Sequence, residues 1–413
     1  MNDLSQQSSF IHDGVEPDSE TGATQTPIYQ SAGFAHNNAQ DLEDVFQGKA
    51  FGYYYSRVNN PTVVALEKRL TALEKGLGAV VVSSGMAAIT TAITALACSG
   101  DNIVVGKSLF GSTYYLLKGL ITDMGIDVRF VDSCDSKAFE DNIDKKTRLL
   151  YVEAMGNPKL DVPNLQTLST YANQHNIPLV LDTTLTTTYM LDAKQHGAHI
   201  VVCATTKYIC GGGTTVGGVV IDIGTMKWSK SPSKTVQEMS KFGQLAFLSA
   251  ARKVRSNVGN CQSPFNAFLT QLGIDTLGLR MKQHGENALA LAEFFETHSN
   301  VNHVNYLGLS SHSQHVLASK QFNHIFGGLL TIRVGSKENA FKLINNLKMV
   351  KDLVNIGDAK TLAVYPASTI YRNLNKQERE SAGVYEDMIR ISVGLEDKDD
   401  IINDFKQALE SIR

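Results

Sequence analysis

Residues 198–224 read AHIVVCATTKYICGGGTTVGGVVIDIG, and the reading of this stretch decides the fold. The run from Ile200 to Thr206 is apolar and rich in β-branched residues, the composition of a strand buried on both faces. It delivers one lysine, Lys207, then a glycine-rich turn, then a second apolar run from Val216 to Ile223. A lysine at such a strand end is either solvated just beyond it or a working amine. Burial penalises the ammonium form and lowers its pKa, which suits an amine that condenses with a carbonyl compound as a Schiff base.

Outward from this stretch, strands and helices alternate. PLVLDTT (178–184) and LLYVEA (149–154) read as strands with a helix near 164–175 between them. Further upstream come AVVVSSG (79–85) as strand and turn, MAAITTAITALA (86–97) as helix and NIVVG (102–106) as strand. STYYLLKGLITDMG (112–125) follows as helix and VRFVD (128–132) as strand. Such alternation is the signature of an α/β fold with a mostly parallel sheet covered by helices on both faces. A helix opens at Pro61, with Val63, Leu66, Leu70 and Leu73 on one face and Gly76 as its stop. Before it, residues 1–60 form a polar arm with the aromatic cluster FGYYYSR (51–57), a segment suited to packing on another subunit. Downstream, KSPSKTVQEMSK (230–241) reads as a polar connector and 264–298 as one or two long helices. LLTIRV (329–334) and IRISVG (389–394) read as strands of a smaller α+β domain. The expected organisation is an arm (1–60), a large domain (61–255) and a small C-terminal domain (256–413).

Composition narrows the function. With 38 basic and 41 acidic residues, the net charge of -3 gives no basis for nucleic-acid or anionic-membrane partners. There is no run of about 18 apolar residues for a membrane span. MNDLSQQSSFIHDG lacks the basic-then-apolar order of a secretory signal, so the cytoplasm is the expected setting. Five scattered cysteines without a CxxC pair argue against a zinc site, and no metal is expected.

Two further features bear on Lys207. SSGMAAITTA (83–92) joins a strand to a helix through Gly85, and a helix N-terminus offers free N–H groups and a positive dipole end to a phosphate. A tight turn is the plainer use of the same glycine. A dinucleotide site does not fit, because Gly76-x-Gly78 precedes its strand rather than following it, and no GxxxxGK[ST] occurs. Asp182 ends the apolar run PLVLD, where a carboxylate is costly unless partnered or capping a turn. A pyridinium nitrogen needs a carboxylate and an aldehyde needs a lysine, so Asp182, Lys207 and a phosphate seat at Gly85 together describe a pyridoxal 5'-phosphate (PLP) pocket.

The collinear strings YSRVNNPT (55–62), SSGMAA (83–88), Asn157-Pro158, Asp182, TKY (206–208), SPFNAF (263–268) and RISVGLED (390–397) give the chain a family. It resembles the Cys/Met-metabolism group of PLP-dependent enzymes, of the aspartate-aminotransferase-like type I fold, over nearly its whole length. GDAKTLAVYPAST (357–369) and VGGVVIDIG (216–224) are most similar to the O-acetylhomoserine sulfhydrylases. By that resemblance Lys207 would carry the cofactor's aldehyde and Asp182 would face its ring nitrogen. The backbone at Gly85 and Met86, with Thr206, would hold the phosphate, and Ser84, Thr184 and Thr205 would line the same cofactor. Tyr55 and Arg57 would reach the phosphate of a neighbouring subunit, implying a homo-oligomer whose dimers share sites and, in this family, a tetramer. Asn157 and Asn355 would sit near the cofactor's hydroxyl or the substrate. Arg390 would grip the substrate α-carboxylate, the alternative being a surface ion pair with Glu396 or Asp397.

Three departures from the family pattern stand out. Ala204 replaces a serine that usually bonds the phosphate, Ser112 stands where γ-lyases tend to carry cysteine, and Phe110 replaces a tyrosine stacked on the cofactor ring. Phenylalanine keeps the stacking and loses the phenol. The implied reaction is γ-replacement, O-acetyl-L-homoserine plus sulfide giving L-homocysteine plus acetate, with Lys207 moving protons at Cα and Cβ. The alternatives are a methionine γ-lyase-like elimination, a cystathionine γ-synthase-like transfer with another acyl group or nucleophile, and a non-catalytic binding module on the same fold.

Overall fold

The computed structural model describes residues 4–412; residues 1–3 of the expected arm lie outside the described residues, as does residue 413. Seven strands form the larger sheet: β1 (Gly78–Val82), β2 (Asn102–Gly106), β3 (Asp127–Val131), β4 (Thr147–Glu153), β5 (Leu179–Asp182), β6 (Ile200–Cys203) and β7 (Gly218–Asp222). Their order is β1-β7-β6-β5-β4-β2-β3, and only β7 breaks the parallel run, pairing antiparallel with both β1 and β6. The sheet is the mostly parallel one expected, and its inner strands are buried on both sides, only the edge strand β3 being partly open. Alternate residues sort cleanly: Val80, Tyr151, Val180 and Val202 face one apolar cluster, while Val81, Val152, Leu181 and Val201 face the other. The first cluster includes the helices Gly85–Leu96 and Ala246–Val258; the second includes Pro61–Leu73 and Leu165–Gln174.

A second sheet of five strands holds the C-terminal part: β8 (His303–Asn305), β9 (Leu329–Arg333), β10 (Lys351–Asp352), β11 (Leu362–Val364) and β12 (Met388–Ser392). Its order is β10-β11-β12-β9-β8, which places β12 and its Arg390 at the centre, opposite Thr331 and Val364.

Several expectations are corrected. The strand expected to run to Thr206 ends at Cys203, because the chain turns there: the Lys207 N–H donates to the Ala204 carbonyl, and the Thr206 hydroxyl bonds Gly217 across the loop. The helix expected over 112–125 is helical from Gly111 to Leu116 and then widens into a π turn over Leu117–Ile121, where the Thr122 hydroxyl donates to the Leu117 carbonyl. The polar connector 230–241 holds short helical turns, and Trp228 just before it is buried and stacks on Phe247 at 4.9 Å. The expected boundary at 255/256 falls inside the Ala246–Val258 helix, whose buried Phe247, Ala250 and Ala251 pack into the larger sheet's cluster. Residues 264–298 are two helices, Pro264–Asp275 and Leu277–Glu296. Among the described residues no helix is long and apolar enough to cross a membrane.

The arm is fastened at several places, two of them through buried arginines. Phe10, in the helix Gln6–His12, is buried, and its carbonyl accepts from Arg69. Nearer the site, Arg255 donates to Glu67 at 2.6 Å and to the Val58 carbonyl at 2.6 Å, while Glu67 also accepts from the Val81 N–H at 3.0 Å. Arg255 and Glu67 side chains are only 5% and 9% exposed. Glu67→Ala leaves a buried guanidinium uncompensated and is expected to cost about 3–5 kcal/mol of stability, checked by chemical denaturation. A loss under about 1 kcal/mol would show that water compensates Arg255.

Candidate active site

A cavity of about 310 Å³ lies where the carboxyl ends of the parallel strands meet the second sheet. The rule for open α/β sheets places ligands there. Its floor is the start of the Gly85–Leu96 helix. Ser84 caps that helix, its Oγ accepting the Ala87 N–H at 3.1 Å, so the first-turn N–H groups of Gly85 and Met86 have no intrahelical acceptor. The floor has no room for side chains: a Cβ at Gly85 would stand 2.5 Å from the Ala204 Cβ, and one at Gly218 would overlap the Ser84 carbonyl. Thr184 Oγ1 accepts the Ala204 N–H at 2.9 Å, leaving its own proton to donate.

Asp182 ends β5 at the cavity wall. Its carboxyl accepts from the Tyr151 hydroxyl at 3.1 Å and the Thr184 N–H at 2.9 Å. Enclosure holds its pKa above the usual value, and those hydrogen bonds pull the other way. Lys207 enters from the turn after β6 and donates to Asn355 Oδ1 at 2.7 Å. Burial, with the Arg390 charge as a lesser cause, lowers the Lys207 pKa to about 8. The amine is therefore the half-enclosed, partly neutral kind, not the solvated kind.

Arg390 projects from β12 and is buried, which lowers its pKa to about 10. Its Nη1 donates to Asn157 Oδ1 and its Nη2 to the Asn355 carbonyl, each at 3.2 Å, and Nε has no partner. The surface ion pair considered as an alternative does not form. Glu396 accepts from the Thr361 N–H and hydroxyl, both at 2.7 Å, and Asp397 caps the last helix. Phe110 forms a wall at the start of the short helix Gly111–Leu116.

The cavity thus gathers Ser84, Gly85, Met86, Phe110, Asn157, Asp182, Thr184, Thr206, Lys207, Asn355 and Arg390. Three expected residues lie elsewhere. Thr205 is fully buried outside the lining. Arg57 lies over the Tyr55 ring at 5.3 Å and donates to the Ser256 carbonyl at 2.5 Å, and neither residue lines the cavity of its own chain. Thr206 lines the cavity, but its hydroxyl is engaged with Gly217. Glu153, which ends β4, was missed although it ends an apolar run as Asp182 does; Met155, Leu185 and Ile356 gave no sequence signal apart from core residues.

PLP fits this donor set: free helix-start N–H groups beside a glycine-tight floor suit a phosphate, Phe110 offers a ring face, Asp182 offers a carboxylate and Lys207 offers an amine of lowered pKa. Fold and site together define a PLP-dependent enzyme of the aspartate-aminotransferase-like type. The chain belongs to the family described as Cys/Met metabolism PLP-dependent enzymes, whose model matches residues 7–410. It is 40% identical to a homocysteine synthase of Schizosaccharomyces pombe, covering 97% of each chain. It is 38% identical to an O-acetyl-L-homoserine sulfhydrylase of Leptospira meyeri over 97% of this chain and 96% of that one. A crystal structure from Campylobacter jejuni, described as an O-acetylhomoserine (thiol)-lyase and carrying a pyridoxyl-lysine phosphate, superposes with a TM-score of 0.94 at 30% identity, covering 99% of this chain and 100% of that one.

Proposed function

We propose that this enzyme catalyses γ-replacement, converting O-acetyl-L-homoserine and sulfide to L-homocysteine and acetate. The observation that carries the reading is one cavity in which a lysine amine and a buried guanidinium with a free Nε both meet Asn355, in a chain whose relatives over nearly its full length bear sulfhydrylase and homocysteine synthase names. PLP, when bound, supplies an electron sink for negative charge at the substrate Cα.

The chain's own residues do the rest. Ser84, Gly85 and Met86 hold the phosphate, and Asp182, bonded by Thr184, keeps the ring nitrogen protonated. Arg390 takes the α-carboxylate through its fork, with Asn157 and Asn355 keeping the guanidinium in plane. Lys207 moves the proton at Cα and then at Cβ, and an amine with a pKa near 8 can both accept and return it at physiological pH. Phe110 has no hydroxyl to share that work, so the proton traffic falls on Lys207. The apolar walls of Ile89, Met155 and Ile356 limit water, which favours capture by a thiol nucleophile over hydrolytic release.

The substrate is a small amino acid, and the setting is the cytoplasm. Tyr55 and Arg57 serve the phosphate end of a neighbouring subunit's site, Thr205 supports the turn behind Thr206, and the assembly is a homotetramer of such dimers. The working divisions are the arm, the larger-sheet unit and the C-terminal sheet unit.

Purified enzyme given O-acetylhomoserine is expected to release acetate and homocysteine only when sulfide is present. Oxoacid and ammonia formed at a comparable rate without sulfide would replace this reading with γ-elimination.

A further inference from the structure

The cavity carries a second carboxyl that the reaction scheme above does not use. Glu153 ends β4 and Asp182 ends β5, and the two are register partners in the parallel pairing. They share a face with Tyr151, beneath the Gly85–Leu96 helix. Two carboxylates side by side in an apolar enclosure are not both ionised cheaply. Asp182 has two donors, the Tyr151 hydroxyl and the Thr184 N–H, and these favour the charge there. Glu153 is itself buried, and enclosure together with the Asp182 charge raises its pKa well above the carboxylate range, outweighing the backbone N–H groups of Phe110 and Asn157 that pull the other way; Asp161 adds to the upward push.

What Glu153 holds is the backbone of the ring wall. Its Oε1 accepts the Phe110 N–H at 2.7 Å. The rest of that loop is fixed from outside the cavity: Ser133 Oγ accepts the Ser108 N–H at 3.0 Å, and the Tyr371 hydroxyl donates to the Leu109 carbonyl at 3.2 Å. Glu153 is the side chain that reaches the loop from the cavity side, at the residue bearing the ring.

We propose that Glu153 is a positioning residue of this site, acting as a neutral carboxylic acid that fixes the Phe110 backbone, and so the plane of its ring against the cofactor, while the negative charge stays on Asp182. The inference rests on the PLP site and is independent of which donor or nucleophile the enzyme uses.

Holoenzyme carrying Glu153→Gln or Glu153→Ala tests it through the visible circular dichroism of the bound cofactor, its release on dialysis, and kcat/KM. Glutamine is neutral and offers a carbonyl at the same reach, so its dichroic band and cofactor release are expected to stay within about twofold of the unaltered enzyme. Alanine leaves the Phe110 N–H without an acceptor, and is expected to weaken the band, speed cofactor release about tenfold and lower kcat/KM by a similar factor. A glutamine variant as impaired as alanine would show that a charge is needed, and an alanine variant with unaltered dichroism and release would show that Phe110 is placed without Glu153. Either overturns the proposal. Because Glu153→Gln preserves shape, its spectrum tests the neutral-acid role even if the alanine variant does not fold.

Discussion

Lys207→Ala is expected to reduce turnover by about 10⁴-fold or more and to remove the yellow colour that a lysine-bound cofactor gives. The argument starts from charge. An ordinary lysine with a pKa of 10.5 is only about 0.3% neutral at pH 8, whereas the enclosed Lys207, lowered to about 8, is about half neutral there. The neutral amine both bonds an aldehyde and accepts a proton, and Phe110 beside it has no hydroxyl to take over that work. Lys207→Arg is expected to fare no better, because a guanidinium stays protonated throughout the working range. Absorbance spectra and acetate release measured on the same preparations check the point, and a colourless variant with full activity would remove Lys207 from its role.

Arg390→Lys is the second large effect. It keeps the charge but loses the planar fork, the two bonds at 3.2 Å to Asn157 and Asn355, and the unpartnered Nε. An ammonium buried there meets a carboxylate at one point instead of two, a loss of about 3 kcal/mol, or roughly 10²-fold in kcat/KM. With Arg390 in its proposed role, the loss is expected mainly as a raised KM for the amino-acid substrate, with the cofactor's visible spectrum unchanged. Steady-state kinetics over a range of O-acetylhomoserine concentrations separate the two parameters. An unchanged KM would mean that the carboxylate binds elsewhere.

Much of this architecture could be read from residue pattern, for identifiable reasons. β2 was assigned with its observed limits because the apolar run Ile103–Val105 is framed by Gly100-Asp101 on one side and Gly106 on the other. Asp182, Lys207 and Gly85 stood out because each interrupts an apolar run with a group that such a run does not tolerate without purpose. Glu153 obeys the same logic and was equally visible. The apolar walls were not, since Met155 and Ile356 look like any other core residues until the cavity beside them is seen. The π turn at Leu117–Ile121 escaped because one extra residue per turn leaves the apolar spacing nearly unaltered over so short a span. The Arg255–Glu67 pair joins residues 188 positions apart, and no local pattern announces such a pair. Tyr55 and Arg57 are read from a family motif, and a single chain gives them no cavity of their own to confirm.

The glycine-tight floor described above has a counterpart at the opposite end of the cavity. At Gly85 an added Cβ would meet the Ala204 Cβ, and at Gly218 the Ser84 carbonyl, so any larger residue must displace the helix start. At the mouth, Val216 and Val354 line the same cavity and, in the single chain, are 53% and 50% exposed. The floor of the cavity is thereby closed to larger side chains, while its mouth has room for them.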